Sequence, residues 1–381
     1  MEKLESQQSV EMKDRAYQIC REFLSGSWKQ ISSSDMVFQA VSGGLSNILF
    51  LCSLPSTHTP LNGEPTQVLL RMYGQMHSTG DDQTQITVTE SVIFMLLSER
   101  NLGPKLYGVF PGGRLEEYIS ARALACSELR DPDLSSVIAR KLANVHSLSV
   151  PINKEPIWMF ETMNNWLQTV RKISLDSVKP DKRQLAASLI RFNFESEIEW
   201  LKRFLKNAKS PAVFCHNDLQ EGNILLTECQ KPSNKAKSNE LVLKELNDRI
   251  VLIDFEYCAY NYRGFDIANH FCEWALDYSN TEYPHFYAKF ENFPNEEEQR
   301  RFVRSYIKNM NFDVDDDTND LNSEDHIMME ANYFILATHL LWTLWSINNA
   351  YSSQIVFGYW VCLHFFSNTF SNVVFKAKLN N

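Results

Sequence analysis

His216-Asn217-Asp218, with Asn223 five positions beyond the acid, has the spacing of a phosphoryl-transfer catalytic loop. In such a loop the acid receives a hydroxyl proton from the acceptor and the amide holds a metal ion. Further on, Val251-Leu252-Ile253 is an apolar run that ends in Asp254-Phe255. A carboxylate presented from the end of a strand is how a kinase supplies its second metal ligand. Magnesium favours oxygen ligands and keeps waters, so Asn223, Asp254 and nucleotide phosphates would suffice to hold it. The alternative for each motif alone is a loop acid that caps a helix, but two correctly ordered motifs are hard to obtain by accident. By spacing alone, this is the site of a small-molecule or a protein kinase.

The wider stretch His216-Asn217-Asp218-Leu219-Gln220-Glu221-Gly222-Asn223-Ile224-Leu225-Leu226 is followed by Asp254-Phe255-Glu256-Tyr257. Then come Tyr260-Asn261-Tyr262-Arg263-Gly264-Phe265-Asp266-Ile267 and Asn269-His270-Phe271-Cys272-Glu273-Trp274. Together these resemble the choline kinase family, more closely than ethanolamine kinases or aminoglycoside phosphotransferases, over about 38–359. The resemblance implies an α+β, two-lobed protein-kinase-like fold, with a small antiparallel-sheet N-lobe carrying a helix and a larger, mainly helical C-lobe. It implies transfer of the ATP γ-phosphoryl group to choline with Mg2+. It also places Tyr257, Tyr278 and Glu273 with Trp342 and Trp345 around the acceptor, and implies a homodimer. Three positions depart from the family pattern. Ser42 and Ala123 stand where phosphate-contacting arginines are frequent, and Cys362 stands where a pocket tyrosine is frequent.

Several elements must position these groups. Val37–Val41 reads as a strand, Ser42-Gly43-Gly44-Leu45-Ser46-Asn47 as a turn, and Ile48–Cys52 as the returning strand. A glycine pair there lets backbone amides approach phosphate oxygens. Val68–Met72 reads as a third strand carrying Arg71, which is expected to pair with phosphate and with a helix glutamate. Glu90, just before the amphipathic run Ser91–Leu97, is that candidate. The pattern Gly103–Phe110 and Gly112–Ile119 predicts a strand pair and then a hinge. Backbone groups at Glu117-Tyr118-Ile119 would hold adenine there. The division of the chain is accordingly expected at 1–118, a nucleotide-binding lobe, and 119–381, a catalytic and acceptor-binding lobe. Gln220 is expected to help position the nucleotide.

Beyond the hinge the periodicity is helical over Leu134–Ser147, Trp158–Ile173 and Gln184–Lys206, with a leading helix over about Met12–Phe23. His146, at a helix end, reads as a satisfied structural histidine. Thr227–Arg249 reads as a solvated surface excursion, tolerable because closure entropy grows slowly with loop length. Asp313, Asp315, Asp317 and Glu324 fall at calcium-loop positions 1, 3, 5 and 12, but Thr318 replaces the required glycine, so an acidic interhelical loop is expected. Ala331–Ile347 is apolar yet interrupted and short for a span, and is expected to be a buried helix.

The formal net charge of −10 argues against a general nucleic-acid or anionic-membrane surface and suits a cationic substrate. The polar N-terminus carries no apolar signal core, and the eight cysteines show no metal-type pairing, which favours reduced thiols and a cytoplasmic setting. Trp342 and Trp345 are three apart on one helical face. Spacing alone would read them as core, but a quaternary ammonium needs aromatic faces and a nearby carboxylate. The leading expectation is therefore a choline phosphotransferase with Asp218 as base. Its alternatives are ethanolamine as main acceptor, or a non-catalytic choline-binding relative. A protein kinase fits less well, since Asp254-Phe255-Glu256 lacks the third-position glycine and no Ala-Pro-Glu follows.

Overall fold

The computed structural model describes residues 2–41, 47–58, 60–61, 63–73, 81–228, 239–311, 321–353 and 355–362. The chain divides into two compact units, Met1–Ala121 and Arg122–Asn381. The sequence placed the division at 118/119.

The first unit begins with helix α1 (Glu2–Phe23), longer than the expected Met12–Phe23. Strands β1 (Val37–Val41), β2 (Asn47–Ser53), β3 (Gln67–Tyr73), β4 (Leu106–Phe110) and β5 (Gly113–Glu117) form one antiparallel sheet in the order β1-β2-β3-β5-β4. On β3, Val68, Leu70 and Met72 are buried with Ala16, Tyr17 and Cys20 of α1 and with Trp28, a core on one face of the sheet. The alternating position Arg71 is also buried, so the other face is covered too. Helix α2 (Asp81–Glu99) does this: the Arg114 guanidinium, opposite Arg71 across the strand pair, lies 4.2 Å from the Phe94 ring centre. Glu90 lies inside α2 rather than just ahead of a helix. The turn 42–46 and the Asn47 side chain lie outside the described residues.

The chain crosses the division in β6 (Ala121–Ala123). The second unit is mainly helical, with α3 (Pro132–His146), α4 (Trp158–Arg171), α5 (Arg183–Arg191) and α6 (Phe194–Leu205). The single helix expected over Gln184–Lys206 is two helices. Phe192 turns extended, and the Asn193 side chain accepts the Ser196 N–H to start α6. Next come β7 (Ala212–Cys215), β8 (Ile224–Thr227), α7 (Asn239–Arg249), β9 (Ile250–Leu252), β10 (Ala259–Tyr262) and α8 (Arg263–Glu273). The expected excursion after β8 thus contains a helix, tied back by Arg249 Nε donating to Thr227 O at 2.9 Å.

Strands β11 (Leu276–Asp277) and β12 (Tyr287–Ala288) precede α9 (Glu296–Asn309) and α10 (Glu324–Ser352). Helix α10 is apolar on nearly every side because it is the buried centre of this unit. Among the described residues no helix is long and apolar enough to cross a membrane. It crosses α8 at Gly264, where a Cβ would stand 2.7 Å from the Phe334 ring. Beside the crossing, Arg263 and Glu330 form a fully buried ion pair. The acidic positions 313–320 lie outside the described residues, and Glu324 opens α10 in ion pairs with Arg300 and Arg304.

Candidate active site

Strand β7 pairs with β10, with Cys215 opposite Ala259, and β8 pairs with β9, with Ile224 opposite Leu252. The segment from His216 to Asn223 joins the two ladders. Its backbone is held from beneath by one carboxylate, Asp266, in the first turn of α8. Asp266 accepts the His216 N–H at 2.7 Å, the Asn217 N–H at 2.8 Å and His146 Nε2 at 2.9 Å. Tyr306 of α9 shares a hydrogen bond of 2.7 Å with His146 Nδ1, so His146 is the satisfied structural histidine the sequence suggested. Burial pulls the Asp266 pKa upward, but the His146 hydrogen bond and the charges of His146 and His216 outweigh it and hold the carboxylate below its usual value.

Asn217 adopts a left-handed backbone (φ 67°), as does Asp254 (φ 62°). Such conformations cost energy in non-glycine residues and persist only where surroundings dictate them. For Asn217 the restraints are visible: its Nδ2 donates to Tyr257 O, its Oδ1 accepts from Asn261 Nδ2, and its N–H goes to Asp266. Asp254 is placed by its neighbour. The Ile253 N–H donates to Asn223 O at 3.0 Å and Ile253 O accepts His216 Nε2 at 3.0 Å. The strand end carrying Asp254 is therefore tied to both ends of the catalytic loop.

Gln220 caps a short 3-10 turn, Glu221–Asn223, its Oε1 accepting the Gly222 N–H. That turn delivers Asn223, whose Nδ2 donates to Asp218 O at 2.8 Å and to Asp218 Oδ2 at 3.1 Å. With Nδ2 so used, Oδ1 is the ligand atom Asn223 has to offer. The Asp218 pKa lies well above the usual carboxylate value. Burial is the main cause, followed by the charges of Glu273, Asp254 and Glu256, with the Asn223 hydrogen bond opposing. Four acids thus converge, Glu273 buried and Asp218, Asp254 and Glu256 half-buried, an electrostatic arrangement that suits cations.

The aromatic residues surround the same centre. Tyr257 meets Trp342 edge to face at 6.0 Å between ring centres, and Trp342 meets Trp345 at 5.6 Å. Trp345 also meets Tyr359 at 5.5 Å and Phe357 at 6.4 Å. Trp342 Nε1 donates to Asn269 Oδ1 at 2.7 Å, and Asn269 Nδ2 reaches Asn217 O at 3.4 Å. The aromatic wall and the catalytic loop are therefore linked through one amide. Tyr278 donates its hydroxyl to Glu273 Oε2 at 3.1 Å. Glu273 is only 3% exposed, and burial together with the Glu221 charge pushes its pKa up to about 8. Cys362 is buried too, its thiol pushed up to about 12 by burial first and in smaller part by Glu273.

In the first unit, Arg71 donates from Nε to Glu116 Oε1 at 3.3 Å, and Arg114 Nε donates to Glu116 Oε2 at 2.7 Å. Glu116 is 2% exposed; burial opposes its ionisation, but the two guanidinium groups hold its pKa below the usual value. The strand cation is thus fixed by an acid on the neighbouring strand, which the expectation of a helix glutamate alone did not anticipate. Glu117 ends β5 with its N–H on Lys105 O, and Tyr118-Ile119-Ser120 leave the sheet.

Sequence reasoning did not assign Asp266, Asn269, Glu116, Phe357 or Tyr359. The signal for Asp266 was present, an acid at the start of a helix directly after a strand, but nothing local reveals that it faces a loop 50 residues earlier.

The sequence profile of the Choline/ethanolamine kinase family matches residues 38–365. Choline kinase alpha of Mus musculus is 42% identical over 362 residues, covering 91% of this chain and 77% of that protein. Choline/ethanolamine kinase of Homo sapiens is 42% identical over 346 residues, covering 91% and 82%. A crystal structure of choline kinase from Cryptosporidium parvum superposes with a TM-score of 0.71 at 26% identity, covering 95% of this chain and 94% of that one. With the catalytic loop, the strand-end acid and the aromatic wall arranged as described, the chain belongs to the choline/ethanolamine kinase family.

Proposed function

We propose that this chain transfers the γ-phosphoryl group of ATP to the hydroxyl oxygen of choline, giving phosphocholine and ADP. The observation that carries this reading is the amide link from Trp342 through Asn269 to Asn217, which couples a carboxylate-backed aromatic wall to the loop bearing Asp218. Trimethylammonium offers no N–H and is bound by ring faces and a nearby negative charge, here Trp342, Trp345, Tyr257 and Tyr278 with Glu273. Asp218 orients the acceptor hydroxyl and takes its proton as oxygen attacks phosphorus.

The donor set Asn223 Oδ1 and the Asp254 carboxylate consists of hard oxygens and fits Mg2+. Asn223 and Asp254 would hold the ion, which would supply positive charge against the charge that develops on the transferring phosphoryl group. Arg71, held by Glu116, contributes a fixed cation for phosphate. The Ser42–Asn47 turn, Gln220 and the backbone at Glu117, Tyr118 and Ile119 complete the nucleotide contacts in this proposal, with Glu90 as a second support of Arg71. A homodimer, expected from the resemblance, and a cytoplasmic location, expected from the polar N-terminus and the cysteines, belong to the same reading. The seven described cysteines, buried free thiols, suit a reducing compartment.

Ethanolamine as a second acceptor is favoured by the Glu273 carboxylate, which can accept hydrogen bonds from a primary ammonium. A coupled ADP-release assay over a panel of amino alcohols decides between them. Asp218→Ala should lower turnover by about 10²–10⁴-fold, the range of general-base catalysis, with unchanged circular dichroism. Trp345→Ala should harm choline use more than ethanolamine use. Near-normal choline phosphorylation by Asp218→Ala would remove the assigned base.

A further inference from the structure

Glu221 is a buried acid that the mechanism above does not use. It lies on the 3-10 turn between Gln220 and Asn223 and is only 6% exposed. Its Oε1 accepts the backbone N–H of Tyr278 at 3.3 Å. Its Oε2 is buried without a hydrogen-bond partner among the described residues. A carboxylate oxygen left unpaired away from water is costly, and the surroundings make it more so: Asp277 and Glu273 are both close enough to act on it or be acted on by it. Among the described residues no cation forms an ion pair with it. What Glu221 touches is instead the pocket residue Tyr278, whose hydroxyl donates to Glu273 at 3.1 Å.

Tyr278 is therefore gripped twice, at its backbone by an acid of the catalytic turn and at its ring tip by the acid of α8. The ring sits among aromatic neighbours, Phe286 at 6.5 Å and Phe357 at 6.5 Å between ring centres. We propose that Glu221 is a positioning residue that sets acceptor specificity. By fixing the Tyr278 backbone it holds that ring face where a trimethylammonium group needs it. The inference rests on the acceptor pocket proposed above. A quaternary ammonium depends on ring faces and has no N–H to reach Glu273. A primary ammonium can hydrogen-bond Glu273 directly and tolerates a displaced ring.

The test is steady-state kinetics on the full chain with Mg-ATP and either choline or ethanolamine, for wild type, Glu221→Leu and Glu221→Gln. Glu221→Leu should raise the choline KM about tenfold, the effect of one lost hydrogen bond to a charged acceptor. Ethanolamine KM, ATP KM and kcat should change by less than about threefold, the scatter of single-contact effects. Glu221→Gln keeps an oxygen for the Tyr278 N–H and should restore the choline KM. Should Glu221→Leu fail to fold, Glu221→Asp carries the same expectation, because it withdraws the acceptor by one methylene. Wild type that uses neither acceptor would sink the proposed function itself. If wild type is active, three results would each overturn this inference alone: an equal rise in both acceptor KM values, a matching rise in ATP KM, or a Gln variant as impaired as Leu.

Discussion

Replacing Asp266 by Asn tests whether one buried carboxylate organises the catalytic loop. Its Oδ2 takes the His216 N–H at 2.7 Å and His146 Nε2 at 2.9 Å, while Oδ1 takes the Asn217 N–H at 2.8 Å. Asparagine supplies one acceptor and one donor end. If its oxygen keeps the two Oδ2 partners, its amide group confronts the Asn217 N–H and leaves that donor orphaned. An orphaned buried donor costs about 1–3 kcal/mol, and loss of charge assistance on the two remaining bonds costs roughly 1 kcal/mol each. The sum is roughly 3–5 kcal/mol, or a drop of about 1–2 M in the urea midpoint for a typical slope. Turnover should fall as well, because Asn217 would lose a restraint that keeps its backbone left-handed at φ 67°. Urea titration followed by circular dichroism, paired with kcat on choline, reads both effects. The pH dependence has a definite sign. The Asp266 pKa is depressed in the fold, so its contribution is fully present above the unfolded-state value and is lost as pH falls from there through the lower folded value. The gap between wild type and variant should therefore narrow below about pH 4. An unchanged midpoint at neutral pH with turnover within twofold of wild type would refute this account of the loop.

Glu273 behaves in the opposite sense. Burial and the Glu221 charge raise its pKa to about 8, so it holds a proton near neutrality and binds a cation best once ionised. The choline KM should fall as pH rises toward 8 and then level off, and Glu273→Gln should flatten that slope; a slope retained in the variant would assign the titration elsewhere. In the first unit, Glu116→Gln leaves Arg71 and Arg114 to share one neutral acceptor where they now share a carboxylate. ATP KM should rise about tenfold, the weight of a weakened buried charge pair, with choline KM unmoved. An unaltered ATP KM would detach Arg71 from the nucleotide.

Much of the candidate site's geometry was legible because it is local. Asp218 and Asn223 are five positions apart and meet through one short turn, and Asp254 ends a strand whose apolar run is continuous in sequence. The five-stranded sheet was partly readable for the same reason, since its outer hairpins are formed by neighbours in the chain. Residues that act across long separations were not readable. Arg71 finds Glu116 because β3 and β5 are adjacent in register, Arg71 opposite Arg114, a pairing that no periodicity in either strand announces. The split between α5 and α6 turns on one residue. Asn193 competes for backbone donors and starts a new helix, while the apolar spacing around it continues as if uninterrupted.

The two tryptophans show where such reading ends and what takes over. At i and i+3 on a long apolar helix, Trp342 and Trp345 look like core, and Trp342 is indeed 7% exposed. Packing alone would explain both. In the function proposed above, the destination of one polar atom separates a cage from a core. A buried indole N–H must be paired, and Trp342 pairs with Asn269, which turns its own amide to the backbone of Asn217. A purely structural tryptophan could satisfy that N–H with any nearby carbonyl. Spending it on the residue that supports the catalytic loop makes the position of the ring and the position of Asp218 depend on each other. In the function proposed above, the acceptor's head group and its reactive hydroxyl are separated by only two carbons, so this mutual dependence is the geometric condition for bringing that hydroxyl to Asp218.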